Sequence, residues 1–141
     1  MSVQPRLSRL FGLDGKCFEV AIDHGMHNEW TFLDGIENLR QAVDKIVEAG
    51  PDAILLSPGQ AHLLQHLPGK QKPCLVLRTD PTNLYGSPTP KHVFCQLIDD
   101  PVEQALALDA VSIVVNLLWA PDQPGYRLPC TPRVPTWSRL S

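Results

Sequence analysis

The sequence has no excess of basic residues and no apolar run long enough to cross a bilayer. Its 12 Lys and Arg residues stand against 15 Asp and Glu residues, and the resulting net charge of −3 argues against nucleic acid as the main partner. The longest apolar run, residues 110–120, is interrupted by Asn116 and is much shorter than the roughly 20 residues of a membrane helix. We therefore expect neither nucleic-acid binding nor a membrane partner.

Features of a secreted or metal-binding protein are also absent. The first twenty residues carry Arg6, Arg9 and Lys16 but lack the apolar segment of roughly 7–15 residues that a secretory signal requires. This predicts a cytoplasmic protein. The four cysteines lie at positions 17, 74, 95 and 130, which is too far apart for a zinc or redox motif, so we expect free thiols.

Proline is unevenly distributed along the chain. With 141 residues, of which 43% are hydrophobic and 19% charged, the composition is typical of one folded domain. Residues 120–141, however, hold five of the 14 prolines and no periodic apolar pattern. We predict a folded region over residues 1–119, followed by an irregular Pro-rich tail over residues 120–141.

Short apolar runs alternate with helical patterns in the folded region. We predict strands at residues 17–23, 52–57, 74–79 and 110–116. We predict helices over residues 34–50 and 60–67, and from a cap at Asp99 or Asp100 to about Asp109. The first helix has a capping-box-like start at Asp34 and Glu37 and a left-handed cap at Gly50. Parallel strands joined by helices form either a doubly wound open sheet or a closed (β/α) barrel.

Asp23 lies at the carboxyl end of the first predicted strand. Strand alternation places it on the same side as Glu19, while Phe18 and the other even-numbered residues meet the helices. In a barrel this position faces the interior at the end where active sites lie. Asp23 is therefore a candidate catalytic carboxylate, although a turn aspartate that binds nearby backbone N–H groups has the same position.

Polar residues near Asp23 provide further candidates. His24 and His27 lie in the loop after the same strand, and with Asp23 they contain ligand types found at metal sites. We expect no metal, because such a site also needs fixed geometry and supporting contacts. His24 is instead a candidate for substrate binding. A hydrogen-bonded surface histidine is the structural alternative.

Two other strand ends carry polar residues. Asn116 ends the fourth predicted strand, where its amide either contacts a ligand hydroxyl or closes a local turn. Arg78 and Asp80 share one face at the end of the third strand. They could bind an anion, but their opposite charges favour an internal salt bridge.

Four segments together resemble a known enzyme family. They are residues 20–25 (VAIDHG), 48–50 (EAG), 52–56 (DAILL) and 109–113 (DAVSI), followed by Asn116. Their content and order are similar to those of the class I fructose-bisphosphate aldolases of the archaeal and bacterial type, which share a (β/α)8 barrel with deoxyribose-phosphate aldolase-like enzymes. The resemblance implies a lysine Schiff base with a phosphorylated ketose, and no metal or cofactor. It also implies that Asp23 is catalytic, with His24 and Asn116 as our candidates for substrate binding.

Only the first half of that family's pattern is found in this sequence. A complete barrel has about 250 residues, so four βα units correspond to about half of it, a partial TIM barrel. In the family the Schiff-base lysine, its partner tyrosine and the phosphate-binding loops belong to later strands, and none of them maps onto this chain. The chain has five lysines, and none ends a predicted strand. We therefore expect a truncated aldolase that is inactive alone.

Three alternatives follow for the function. The chain could complete an active barrel with another chain, act as a non-catalytic half-barrel that binds a relative, or be an unproductive fragment. The implied small-molecule partner is the phosphorylated sugar of the intact family. A half-barrel also leaves its first and last strands open at the edges, so we expect a homo-oligomer or association through these edges.

Overall fold

The fold alternates β-strands with α-helices. The structure, a computed structural model, describes residues 4–69, 71–82 and 96–116. Within these residues the strands are β1 (Glu19–Ala21), β2 (Ala53–Leu56), β3 (Cys74–Arg78) and β4 (Ser112–Val114). The helices are α1 (Gln4–Leu10), α2 (Leu39–Ala49), α3 (His62–Gln65) and α4 (Pro101–Ala107). The predicted alternation is confirmed. The predicted tail lies outside the described residues, and its boundary at residue 119 stays a prediction.

The described strands form one parallel sheet in the order β1-β2-β3-β4. Ala53 lies opposite Glu19 on one side and Cys74 on the other, and Val76 lies opposite Ser112. A doubly wound sheet reverses direction partway through its strand order, whereas a barrel adds each new strand to the same side. The four units are therefore part of a (β/α) barrel.

Two apolar clusters lie on opposite faces of this sheet. Alternate strand residues point to opposite sides, so Ile54 joins the outer cluster and Leu55 the inner one. Helices α2 to α4 cover the outer face, with Val43 and Ala105 buried against it. Helix α1 contributes Leu10 to the inner cluster. The helices thus pack on the two faces of the sheet, and the loops that follow the strands lie at the carboxyl ends.

The prediction that Phe18 packs against the helices is wrong. Phe18 lies just before β1 and is 67% exposed. Within the described sheet β1 has a neighbour on one side only, and the outer cluster reaches Val20 and Ile22 instead. The backbone N–H of Phe18 donates to Asp52 Oδ2 at 2.7 Å, which fixes its main chain while the ring remains exposed.

Helix α2 begins later than predicted but ends where predicted. Its cap is Asn38, whose side-chain oxygen accepts from the Gln41 N–H at 3.2 Å. The predicted start at Asp34 is wrong, because Asp34 ends a short 3₁₀-helix and Gly35 has a φ of +84°, which interrupts any helix there. Gly50 has a φ of 71° and donates to two carbonyls of the last turn, as expected for a left-handed cap.

The remaining helices differ from the predictions in detail. Pro101 lies in the first turn of α4, as predicted, but Asp100 has a φ of 46° and makes no side-chain capping bond within the described residues. The usual cap has extended backbone, so this left-handed turn explains why the predicted side-chain cap is wrong. Helix α1 and the 3₁₀-helices His24–His27 and Trp30–Leu33 were not predicted. Among the described helices, none has the length and apolar character that crossing a membrane requires.

Candidate active site

Polar residues from three strands meet at the carboxyl edge of the sheet. Asp23 follows β1, Arg78 ends β3 and Asn116 follows β4. All strands are parallel, so their carboxyl ends lie along one edge. Asp23 and Arg78 both lie on the inner face of the sheet, where the predicted alternation placed Asp23. The edge therefore collects side chains that are far apart in the sequence.

Arg78 connects these residues. Its Nε–H donates to Asp23 Oδ2 at 2.5 Å, and its Nη1 donates to Asp80 Oδ1 at 3.4 Å and to Asn116 Oδ1 at 3.2 Å. Asp23 and Asp80 are each 3% exposed and Arg78 is 7% exposed. A guanidinium is suited to this position because its rigid fork of N–H groups reaches several acceptors at once.

The cluster of Asp23, Arg78, Asp80 and Asn116 has two carboxylates and one guanidinium, hence a formal charge of −1. Buried ionic groups are tolerated only when they are paired and hydrogen-bonded. The second oxygen of Asp80 satisfies this need by accepting from the Asn116 backbone N–H at 2.7 Å. Asp80 thereby ties the end of β4 to β3.

The predicted salt bridge between Arg78 and Asp80 is confirmed. The shorter contact between Arg78 and Asp23 was missed by the sequence analysis. The contact could have been predicted, because Asp23 and Arg78 both face inward at the carboxyl ends of parallel strands. Asp23 and Asn116, which were predicted separately, are brought together because each contacts Arg78.

Two histidines and a phenylalanine form an aromatic group beside this cluster. The rings of His24, His27 and Phe32 have centroids 6.2–6.5 Å apart in edge-to-face arrangements. Burial lowers the pKa of His27 from its usual value of 6.5; Asp23 opposes this effect, while Arg78 and His24 add to it. His24 is next to Asp23 in the sequence, but its ring packs against His27 and Phe32.

Three buried polar atoms at this edge have no hydrogen-bond partner within the described residues. They are Nδ1 of His24, Oγ1 of Thr82 and Nδ2 of Asn116. Buried polar atoms are nearly always paired, so unpaired atoms need a specific explanation. Their position around a buried charged cluster is typical of a ligand site. Thr82 was not identified from the sequence, because nothing in the residue pattern indicates whether a buried hydroxyl is paired.

The lysines of the described chain lie elsewhere. Lys72 Nζ donates to the carbonyl oxygens of Leu64 and Gln65 at 3.3 and 2.8 Å, so it caps α3 just before β3 begins. Lys16 precedes β1 and Lys45 lies on α2. None of these three is at the carboxyl edge. The other two lysines, at positions 70 and 91, lie outside the described residues.

Asp23, His24 and His27 carry side chains of the types that ligate metals. Across residues 4–69, 71–82 and 96–116, no group of three or more His, Cys, Asp or Glu side chains is arranged to hold a metal ion. In the structure, the Asp23 carboxylate binds Arg78. The catalytic role of Asp23 and the substrate-binding roles of His24 and Asn116 stay predictions.

Comparison with known proteins identifies the family. The model of the DeoC/LacD family aldolases matches residues 17–134 of this chain. An uncharacterized aldolase of Saccharolobus solfataricus is 35% identical over 81 residues, which are 57% of this chain and 29% of that protein. The resemblance inferred from the sequence is thus confirmed at the level of the family.

Two solved structures are also similar. One is a Schiff-base-forming fructose-1,6-bisphosphate aldolase, with a TM-score of 0.53 and 21% identity over 79% of this chain and 43% of that chain. The other is an archaeal fructose-1,6-bisphosphate aldolase whose catalytic lysine is bound to the carbinolamine intermediate, with a TM-score of 0.47, 24% identity and the same coverage. This chain spans less than half the length of each of these relatives. The chain belongs to the DeoC/LacD family of aldolases.

Proposed function

We propose that this chain provides the Asp23 side of an aldolase active site, in which a lysine Schiff base forms or cleaves a carbon–carbon bond of a phosphorylated ketose. The observation that carries this proposal is the buried cluster of Asp23, Arg78, Asp80 and Asn116 at the carboxyl edge of an aldolase-family sheet. In barrel enzymes the chemistry takes place at that edge. The proposed substrate-binding groups are His24 and Asn116.

Asp23 would carry protons during formation of the Schiff base. When a lysine ammonium condenses with a ketone, two of its three protons leave with the ketone oxygen as water, and the third stays on the iminium nitrogen. A carboxylate beside the carbinolamine can move these protons from nitrogen to oxygen. Arg78 supports this role because it binds Asp23 Oδ2 and so fixes the orientation of the carboxylate.

Lys16, Lys45 and Lys72 are not at the carboxyl edge. Neither Lys70 nor Lys91 ends a predicted strand. We propose that the 141-residue chain is inactive alone and gains activity only when a second polypeptide segment brings a lysine to this edge. A cytoplasmic location and the absence of a metal or cofactor belong to the same proposal.

A non-catalytic half-barrel that binds a relative is the second candidate. The observation that favours it is the exposed Phe18 ring beside β1, which is an edge strand within the described sheet. Unpaired strand edges with apolar neighbours are common sites of association. Copurification of a lysine-bearing aldolase subunit would be expected under either candidate, so the two are separated by whether aldolase activity of that complex depends on Asp23.

Borohydride trapping tests the part of the proposal that places the reacting amine outside this chain. The chain is incubated with dihydroxyacetone phosphate, reduced, and analysed by mass spectrometry. A complete Schiff-base fructose-1,6-bisphosphate aldolase serves as the positive control. We expect an adduct on the control and none on this chain, because a Schiff base needs an amine at the site. A stoichiometric adduct mapped to Lys91, or to any other lysine of this chain, would show that the chain carries the reacting amine itself.

A further inference from the structure

Two buried threonines follow β3, and only one of them has a hydrogen-bond partner. Thr79 is 0% exposed, and its Oγ1 donates to the carbonyl oxygen of Val114 at 3.1 Å. Thr82 is 4% exposed, and its Oγ1 has no hydrogen-bond partner within the described residues. A buried hydroxyl without a partner costs stability. Such a residue is expected where a ligand supplies the missing bond.

Thr82 is positioned where the loop after β3 meets the loop after β1. Its backbone N–H donates to the Met26 carbonyl oxygen at 3.4 Å, within the 3₁₀-helix that begins at His24. The same edge holds the unpaired Nδ1 of His24 and Nδ2 of Asn116. Thr82 is therefore one of three unpaired polar groups contributed by the segments that follow β1, β3 and β4.

The charge of the neighbouring cluster selects the kind of group that Thr82 would bind. Asp23 and Asp80 outnumber Arg78, so a phosphate dianion would be repelled here. A neutral hydroxyl is not repelled, and it can both donate to and accept from a threonine hydroxyl. The local chemistry thus favours the hydroxylated carbon chain of a sugar phosphate over its phosphate groups.

We propose that Thr82 Oγ1 binds a hydroxyl group on the carbon chain of the ligand and so distinguishes polyhydroxylated substrates from other phosphate esters. This inference rests on the proposed function, since it assumes that a phosphorylated ketose occupies the carboxyl edge. Thr82 is a specificity-determining residue in this account, and it takes no part in the bond-making step.

The free protein provides the first test. Replacing Thr82 by valine keeps the shape of the side chain and removes only the unpaired hydroxyl, so the melting temperature of Thr82→Val should equal or exceed that of the native chain. Thr79→Val is the matched control, and its melting temperature should fall because a paired hydroxyl is lost. A similar fall for both variants would mean that Thr82 is already paired, which would overturn the proposal.

Ligand binding provides the second test, by calorimetric titration of the full chain. The probes are fructose 1,6-bisphosphate and hexane-1,6-diol bisphosphate, which carries two phosphates but no free hydroxyl. Thr82→Val should weaken binding of the sugar about tenfold, the effect of one hydrogen bond, and leave the weaker binding of the diol bisphosphate unchanged. Thr82→Ser, which keeps a hydroxyl, should restore binding of the sugar.

Each other outcome has a distinct meaning. Equal weakening for both probes, or no weakening for either, overturns the role of Thr82 and leaves the proposed function intact. If the native chain does not distinguish the sugar from the diol bisphosphate, hydroxyl recognition at this edge is wrong. If the native chain binds the sugar with the expected dependence on Thr82 while a lysine-bearing partner restores no aldolase activity, the proposed function fails and the role of Thr82 stands.

Discussion

Both ends of the parallel sheet hold an arginine paired with an aspartate, but the two pairs have different surroundings. At the amino end, Arg9 Nη2 lies 3.0 Å from Asp109 Oδ2, with the two side chains 46% and 62% exposed. At the carboxyl end, Arg78 Nε lies 2.5 Å from Asp23 Oδ2, with the side chains 9% and 3% exposed. Removing one partner of an exposed ion pair changes the free energy of unfolding little, whereas removing one partner of a buried pair leaves an unpaired charge and lowers it strongly.

The amino-end pair attaches a helix to the sheet. Arg9 lowers the pKa of Asp109 through their hydrogen bond, and Arg6 Nη1 donates to the Ala110 carbonyl oxygen at 2.7 Å. These contacts hold α1 beside the start of β4. The carboxyl end instead combines a buried charged cluster with unpaired polar atoms of His24, Thr82 and Asn116. The amino-end contacts thus attach α1 to the sheet, whereas the unpaired atoms of the carboxyl end support our proposal that a ligand binds there.

The largest difference between the two ends should appear when each arginine is replaced by methionine. Arg78→Met leaves Asp23 and Asp80 buried without their cation, so we expect a loss of about 3–5 kcal/mol in the free energy of unfolding. Arg9→Met removes an exposed pair and should cost at most about 1 kcal/mol. Urea unfolding of the two variants measures both. Equal losses would contradict the distinction between a buried and an exposed end.

A second prediction concerns the open edge at β1. We expect the chain to associate, because Phe18 is 67% exposed beside an edge strand of the described sheet. Phe18→Lys should weaken association about 10- to 150-fold, since burying a large apolar side chain contributes roughly 1.5–3 kcal/mol. Light scattering during size-exclusion chromatography measures this effect.

The control for this prediction is an exposed apolar residue away from the edge. Leu106 lies on α4 and is 40% exposed, so Leu106→Lys should leave association unchanged. A monodisperse species of 15.6 kDa with a sharp thermal transition, the behaviour of a self-sufficient monomer, would contradict association through the edge.

The smallest predicted effect is the pH dependence that His27 contributes at the carboxyl edge. Burial lowers its folded-state pKa below 6.5, so the unfolded chain binds a proton more readily than the folded chain. Stability should therefore fall as pH decreases through 6.5, because protonation of His27 favours the unfolded chain.

His27→Gln tests this contribution by urea unfolding at pH 7.5 and pH 5.5. The stability difference between the two pH values should be smaller in this variant than in the native chain. His62→Gln, which replaces an exposed histidine on α3, is the control and should retain the native difference. An identical pH dependence in the native chain and in His27→Gln would show that His27 makes no such contribution.

Features set by local sequence were the most predictable. The β-strands follow from short apolar runs, and the end of α2 follows from the conformational freedom of Gly50. The start of α2 was mispredicted because two local patterns compete. Asp34 with Glu37 has the spacing of a capping box, but Gly35 interrupts the helix and Asn38 supplies the cap.

Features set by contacts between distant residues were less predictable. Asp23 and Arg78 are separated by 55 positions, and their contact depends on the strand order and register. Asp23 and Asn116 were nevertheless identified as candidates, because strand ends in βα folds often carry polar functional residues. The unpaired state of Thr82 could not be predicted, since it depends on which atoms surround the hydroxyl after folding.

The claim that catalysis takes place at the carboxyl end of the sheet is tested most directly by turnover in a full-length relative that carries the same Asp-His-Gly segment. Asparagine is introduced separately at the aspartates that match Asp23 and Asp109, and the kcat of each variant is measured with fructose 1,6-bisphosphate. If the Asp23 carboxylate moves protons during Schiff-base formation, the first variant should lose about 10²-fold or more, and the second should retain nearly full activity. An unchanged kcat in the first variant would contradict the account and leave Asp23 as a structural partner of Arg78.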